Sequence, residues 1–226
     1  LDDSLLTARL GRELKGIVKP GERIGLPAIL GLDNHTRVVA DLQVQSGAPV
    51  FEIPTLPPSV PGVRLHKALA RQLGRLNVPI DVNQEAIGFQ ADSGRIAWVE
   101  SATSSRPLRH RAKAFLLATG GILGAGFNTD HHGRVWEVVF DLPLTVPQRR
   151  SQWFRPQFMD PAGHPVFQGG VATNRQFQPT SSDGQPVYGN LWAAGGLLAD
   201  ADPINERSLE GIAIATGMSA AQQIRV

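Results

Sequence analysis

Twice in this chain an apolar run stops abruptly at paired glycines: KAFLLATGGILGAG over residues 113–126, and NLWAAGGLLAD over residues 190–200. Runs without internal charge predict buried strands over Lys113 to Thr119 and again over NLWAA. Gly120, Gly121, Gly195 and Gly196 then let the backbone turn sharply and let a ligand approach the main chain. The second run leads towards a closing helix, expected from about Ser208 to Arg225 with a small inner face of Ala213, Gly217, Ala220 and Ala221. A helix start offers free N–H groups and a partial positive charge, suited to a phosphate or another electron-rich group.

The rest of the pattern is mixed α/β. Leu5, Leu6, Leu10 and Leu14 recur at helical spacing over residues 3–15, and Ile24 to Leu30 reads as a short strand. Asn34 is placed to cap a helix over Thr36 to Gln45, and Val50 to Ile53 reads as another strand. PTLPPSVPG carries four Pro in nine residues and interrupts regular structure. In the following helix Val63, Leu65, Leu69, Leu73 and Leu76 form the apolar stripe, with Arg64, Lys67, Arg71 and Arg75 opposite. EAIGFQ and RIAWVES alternate about Asp92-Ser93-Gly94, a hairpin signal. Residues 127–186 are irregular, with strand candidates at Trp136 to Phe140 and Gly170 to Thr173.

With 226 residues the chain holds one large domain or two small ones. Zero Cys excludes disulfides, thiolate zinc, iron–sulfur ligation and a Cys nucleophile within it. A net charge of +2 does not argue for nucleic acid or anionic lipid. No apolar run reaches the roughly 20 residues that span a bilayer. The first residues lack the apolar core of a signal peptide, so a cytoplasmic protein is expected. The chain begins without Met, which predicts a piece of a longer protein.

FEIPTLPPSVPGVRLHKALARQL, FLLATGGILGAGF, GGVATNRQFQPT and NLWAAGGLLADADPI…GIAIATGMSAAQQI, in that order, resemble the B-subunit family of anaerobic glycerol-3-phosphate dehydrogenase. PTLPPSVPGVRL is the most distinctive of these strings. The resemblance implies the C-terminal part of a two-domain flavoprotein fold, α/β, with a mixed sheet, helices and antiparallel hairpins. It implies FMN or FAD as cofactor and oxidation of sn-glycerol 3-phosphate to dihydroxyacetone phosphate, with electrons passed to quinone. Implied partners are a second flavoprotein subunit and an iron–sulfur, membrane-anchoring subunit, which would bring a cytoplasmic protein to the inner membrane. The expected layout is a βαβ-like layer over 1–55, flavin-domain elements over 56–126 and 187–226, and an inserted substrate region over 127–186. The G-x-G-x-x-G motif that opens such folds is absent from these residues, and the glycines expected after Asp-Pro-Ile are replaced by Asn205 to Gly211. Alternatives are a non-catalytic scaffold module of the complex or another fumarate-reductase-like flavoprotein.

By this resemblance Thr119, Gly120 and Gly121, with Gly195, Gly196, Asp202 and Pro203, would contact the cofactor. Arg64 and Arg155 are the expected anion donors for a phosphorylated substrate. Arg155 belongs to a basic cluster with Arg149 and Arg150 around Trp153 and Phe154, and Arg207 is placed near the cofactor. His131 and His164 are the candidate proton-transfer groups. Adjacent histidines at 131 and 132 are expected to point in different directions, and no carboxylate except Asp130 sits at ligand spacing, so no metal is expected. His66 is expected to be solvated.

Overall fold

The computed structural model describes residues 1–56 and 59–224. Pro57 and Pro58 of the proline-rich motif, and the expected helix end at Arg225, lie outside the described residues. The chain divides into two compact units, Leu1–Val82 and Asn83–Val226.

The first unit is a βαβ layer with two further helices. Helix α1 (Ser4–Lys15) is capped by the Asp3 carboxylate, which accepts the N–H groups of Leu5 and Leu6. Strand β1 (Ile24–Pro27) crosses through α2 (His35–Ser46) to the parallel strand β2 (Val50–Ile53). Ile24, Leu30, Val38, Leu42, Ala48 and Val50 form its core. Gly11 lets α1 lie directly on Gln45 of α2, where any Cβ would collide. Asn34 occupies the cap position of α2, but its side chain makes no capping bond.

Helix α3 (Val60–Arg75) starts inside the proline-rich motif, with the Ser59 hydroxyl accepting the Gly62 N–H and Pro in the first turn. Its orientation reverses the expected one. Val63, Leu65, Leu69 and Leu76 are exposed, whereas the basic side meets the layer: Arg64 pairs with Glu52, and Lys67 and Arg71 with Asp33. The ion pairs lie on the side of α3 that meets Glu52 of β2 and Asp33 of the loop before α2.

In the second unit β3 (Ala86–Asp92) and β4 (Arg95–Ser101) form the expected hairpin. Ser93 and Gly94 take φ of 49° and 72° at its turn, as a two-residue turn matched to strand twist requires. Strand β5 (Leu108–His110) extends it antiparallel to β4. Strand β6 (Phe115–Leu117) pairs in parallel with β9 (Leu191–Ala193), with Phe115 opposite Leu191 and Leu117 opposite Ala193. The buried Asn190 side chain bonds both the N–H and the C=O of Ile96, at 2.8 and 2.9 Å, and so pins the hairpin beside β9.

Between β6 and β9 lie the antiparallel pair β7 (Phe127–Thr129) and β8 (Val135–Glu137) and the single turn α4 (Pro165–Gln168). The strand expected up to Phe140 ends at Glu137. That carboxylate, on a residue 1% exposed, accepts the N–H groups of Val139 and Phe140 and turns the chain. Gly170 to Thr173 form isolated bridges rather than a strand, centred on Val171 between Leu144 and Leu198. Helix α5 (Leu209–Gln223) closes the unit. Leu117, Phe127, Val171, Leu191, Ala193 and Leu197 lie at the centre of its core. The α/β class with parallel pairs and antiparallel hairpins is the observed one.

Candidate functional site

Because β6 and β9 are parallel neighbours in register, their carboxyl ends arrive side by side. The Ala194 N–H still donates to Leu117 O at 3.0 Å, and both chains then break away at glycine. Gly120 and Gly195 take φ of 80° and 83°, the left-handed region that side chains disfavour. Gly121 packs against the Gly196 carbonyl so closely that a Cβ there has no room. The two turns are therefore built as one unit. The Gly195 N–H donates to Thr216 Oγ1 at 2.8 Å, and the Thr216 hydroxyl donates to Ile212 O at 2.6 Å, which ties the second turn to α5.

These turns and α5 enclose a cavity of about 320 Å³. Leu116, Ala118, Gly120, Gly121, Gly195 and Gly196 form the strand side, and Leu209, Ala213 and Gly217 the helix side, with Phe167 and Pro203 also on the wall. The volume lies at the small end of roughly 300–1,000 Å³ for ligand pockets, which suits one flat portion of a dinucleotide. A Cβ on Gly217 would meet nothing within 4 Å, and one on Gly195 only Ala213 Cα at 4.0 Å. The glycines thus leave wall where a side chain would otherwise project, and the residues present fit a flat ring laid against backbone. Ser208 caps α5 without a side-chain bond, so no capping side chain takes up the first-turn N–H groups near Leu209.

Two expectations about this wall need correction. Strand β6 is not buried on both faces: Leu116 is 42% exposed because its face, opposite Leu117, borders the cavity. The small face of α5 does not all pack inward either. Ala220 is fully buried, Ala213 and Gly217 border the cavity, and Ala221 is exposed. The spacing of 209, 213 and 217, one turn apart, was the available signal for a cavity-facing helix.

Of the expected cofactor contacts, Gly120, Gly121, Gly195, Gly196 and Pro203 share the cavity wall. Thr119 and Asp202 do not. The Thr119 hydroxyl is buried without a hydrogen-bond partner and lies towards Gly126, inside the turn. Asp202 Oδ1 accepts the N–H groups of Ile204 and Asn205 at 3.1 and 3.0 Å, and its side chain borders a second cavity of about 180 Å³.

Arg64 is held within the first unit by three hydrogen bonds. Its Nη1 and Nη2 donate to the two Glu52 oxygens at 2.6 and 2.7 Å, and its Nε donates to Gly31 O. Side-chain exposures of 15% and 13% mark the pair as largely enclosed. The Arg64 hydrogen bonds hold the Glu52 carboxyl below the usual range and raise the guanidinium in turn. Three of its five N–H donors are committed in this way, which gives Arg64 a structural role within the first unit.

Arg155 donates from Nε to Gly163 O at 3.0 Å, on the wall of the second cavity. Arg150 lies over the Trp153 ring at 5.3 Å, and Trp153 itself is a core residue rather than the centre of an exposed cluster. His164 Nδ1 accepts the Arg155 N–H at 3.0 Å, so Nε2 carries the proton donated to Phe158 O at 2.9 Å. Both ring nitrogens are therefore engaged with backbone groups. The His131 and His132 rings lie with centroids 3.8 Å apart and tilted by 43° on the exposed β7–β8 turn, outside both cavities. No group of three or more metal-ligating side chains occurs among the described residues, and among them no helix is long and apolar enough to cross a membrane.

Residues 4–212 match the FAD binding domain family. The chain is also similar to a probable B subunit of anaerobic glycerol-3-phosphate dehydrogenase from Halobacterium salinarum, 33% identical over 88% of this chain and 46% of the relative. It is 30% identical to the B subunit of anaerobic glycerol-3-phosphate dehydrogenase from Vibrio cholerae, over 94% of this chain and 48% of that protein. To the protein of the same name from Pectobacterium carotovorum it is 34% identical, over 96% of this chain and 50% of that protein. The chain spans about half the length of these curated relatives. A family match over nearly the whole chain agrees with a glycine-walled cavity at the ends of two parallel strands, and the chain belongs to the FAD binding domain family.

Proposed function

We propose that this chain forms part of a flavin-bearing subunit that oxidises sn-glycerol 3-phosphate to dihydroxyacetone phosphate and passes the electrons towards quinone. The supporting observation is the shared wall made by Gly120–Gly121, Gly195–Gly196 and the start of α5. FAD, named in the family's description, is favoured over FMN. When bound, the flavin supplies an acceptor for the two electrons released as an alcohol carbon becomes a ketone. The chain's own part is to lay backbone and small side chains against the ring, to keep water from it with Leu116, Phe167 and Leu209, and to direct the first-turn N–H groups of α5 towards its electron-rich edge. The naming of the relatives as one lettered component of an enzyme supports a multi-subunit assembly. A second flavoprotein subunit and an iron–sulfur anchor subunit fit that reading, as does attachment at the inner membrane through such partners.

Gly217→Leu in the full-length protein tests this. The position has open space around its Cβ, and replacing glycine within a helix raises helix propensity by up to about 1 kcal/mol, so folding is retained while the side chain fills the cavity. Flavin absorbance per mole of folded protein is expected to fall to background. A fully loaded, yellow Gly217→Leu protein would show that the flavin lies elsewhere.

A further inference from the structure

The second cavity, about 180 Å³, is bordered by Asp160, Gly163, His164, Phe167, Asp202 and Arg207. Phe167 also borders the larger cavity, and Asp202 and Pro203, adjacent in sequence, border one each. The peptide between them is thus part of the partition. Asp202 is 5% exposed, and its Oδ2 is buried with no hydrogen-bond partner while Oδ1 holds the turn at Ile204 and Asn205. A buried carboxylate oxygen without a donor costs free energy, and Asp202 borders this cavity, the side from which a donor outside the chain would reach it. Of the other polar groups on the wall, Asp160 Oδ1 accepts the Ala162 N–H, and both His164 nitrogens are bonded.

One cationic group borders the same cavity, and a second is tied to its wall. Arg207 is exposed, borders it, and makes no hydrogen bond or ion pair among the described residues. Its φ of 53° is unusual for a side-chain-bearing residue and costs on the order of 1 kcal/mol. Arg155 is fixed by its Nε to Gly163 O on the wall. Gly163, at φ 68°, gives Oδ2 its room, since a Cβ there would come within 2.5 Å of that oxygen.

We infer that this cavity is a substrate subsite for a small hydroxylated phosphate monoester, with Asp202 Oδ2 accepting a hydroxyl and the Arg207 guanidinium taking the phosphate. The inference rests on the proposed glycerol 3-phosphate reading and assigns that substrate a place beside the flavin wall. Asp202 is then a substrate-binding rather than a cofactor-binding residue.

The test uses the full-length protein with Asp202→Asn and Arg207→Gln. Asparagine keeps the turn-holding oxygen and replaces only the unpartnered one with a donor. Three readouts are taken: flavin content, KM and kcat with glycerol 3-phosphate and an artificial acceptor, and calorimetric binding of glycerol 3-phosphate and of inorganic phosphate. Both variants are expected to keep their flavin. Losing one bond to a charged group should raise KM at least about tenfold in each, and Arg207→Gln should also abolish phosphate binding. Unchanged KM and binding in both variants with flavin retained would overturn the subsite, as would flavin loss in Asp202→Asn with binding intact. If the unmodified protein oxidises no glycerol 3-phosphate, the functional reading fails. Calorimetry then still decides the subsite: Arg207-dependent phosphate binding supports it, and its absence overturns it. Arg207 is exposed and makes no hydrogen bond or ion pair among the described residues, so that variant reports even if Asp202→Asn does not fold.

Discussion

In the first unit, the loop leaving β1 runs to the start of α2 and aims the N–H groups of Leu32, Asp33 and Asn34 at one point, where the Asp2 carboxylate accepts all three at 2.7 to 3.2 Å. In the second, β6 and β9 likewise run parallel and end near a helix start, yet there the turns are glycine and the space beyond is a cavity. The two strand pairs share a topology that naturally presents free backbone donors at its carboxyl end. One is filled by the protein's own carboxylate and braced by Arg64 and Glu52; the other is left open and lined with residues too small to fill it. A parallel strand end is therefore not itself a ligand site, and what marks one is the absence of an internal occupant.

The largest expected effect within this contrast comes from unbracing the filled end. Arg64→Ala leaves Glu52 nearly buried without its fork, and Gly31 O without a donor. Partly enclosed pairs fall between the weak exposed and strong buried limits, so a loss of about 2–3 kcal/mol is expected for the first unit. Arg64→Lys restores charge but not the two-pronged geometry and should recover less than half of it. Urea midpoints of the three proteins measure this, and a midpoint unmoved by Arg64→Ala would mean that α3 is held by something else.

Much of this was legible beforehand for identifiable reasons. The β3–β4 hairpin follows from strict alternation about a Ser-Gly turn, and the two glycine turns from the need for positive φ at Gly120 and Gly195. Which face of β6 stays open was not legible, because an uncharged run reads as buried whether it meets protein or a ligand. The direction of α3 was hidden for a related reason. Amphipathicity says that two sides differ, while the partner that chose the basic side, Glu52, lies on a strand with no periodic relation to Arg64. His164 looked free as a sequence letter and is not, since its two bonds go to backbone atoms of Arg155 and Phe158. Asp202 drew notice through its motif, but only the folded structure shows that one of its oxygens is held and the other unpartnered.

A smaller change sharpens the open side. Thr216→Val keeps the shape of the residue but removes the oxygen that accepts the Gly195 N–H, leaving that donor unpaired beside the cavity. A cost of about 1–2 kcal/mol is expected for the unpaired group. Because it loosens one glycine turn and not the other, flavin should bind several-fold more weakly with the spectrum of bound flavin unchanged. Flavin affinity equal to that of the parent protein would show that the turn is held without this bond.

The smallest effect concerns the carboxylate that fills the closed end, and it is separable by pH. The backbone N–H of Leu32, then that of Asn34, lower the Asp2 carboxyl from 3.8 to about 2. A folded-state value below the unfolded one means that the unfolded chain binds the proton more readily as acid is added. The contribution of Asp2 is thus fully present above pH 3.8 and is lost as pH falls through about 2. Asp2→Asn keeps an acceptor but not the charge, so its urea midpoint should lie slightly below the parent's at neutral pH. The gap should narrow only between about pH 4 and 2. A gap that is constant down to pH 2 would show that the three N–H groups recognise an oxygen atom rather than an anion, and the likeness between the filled and open strand ends would then be one of shape without charge.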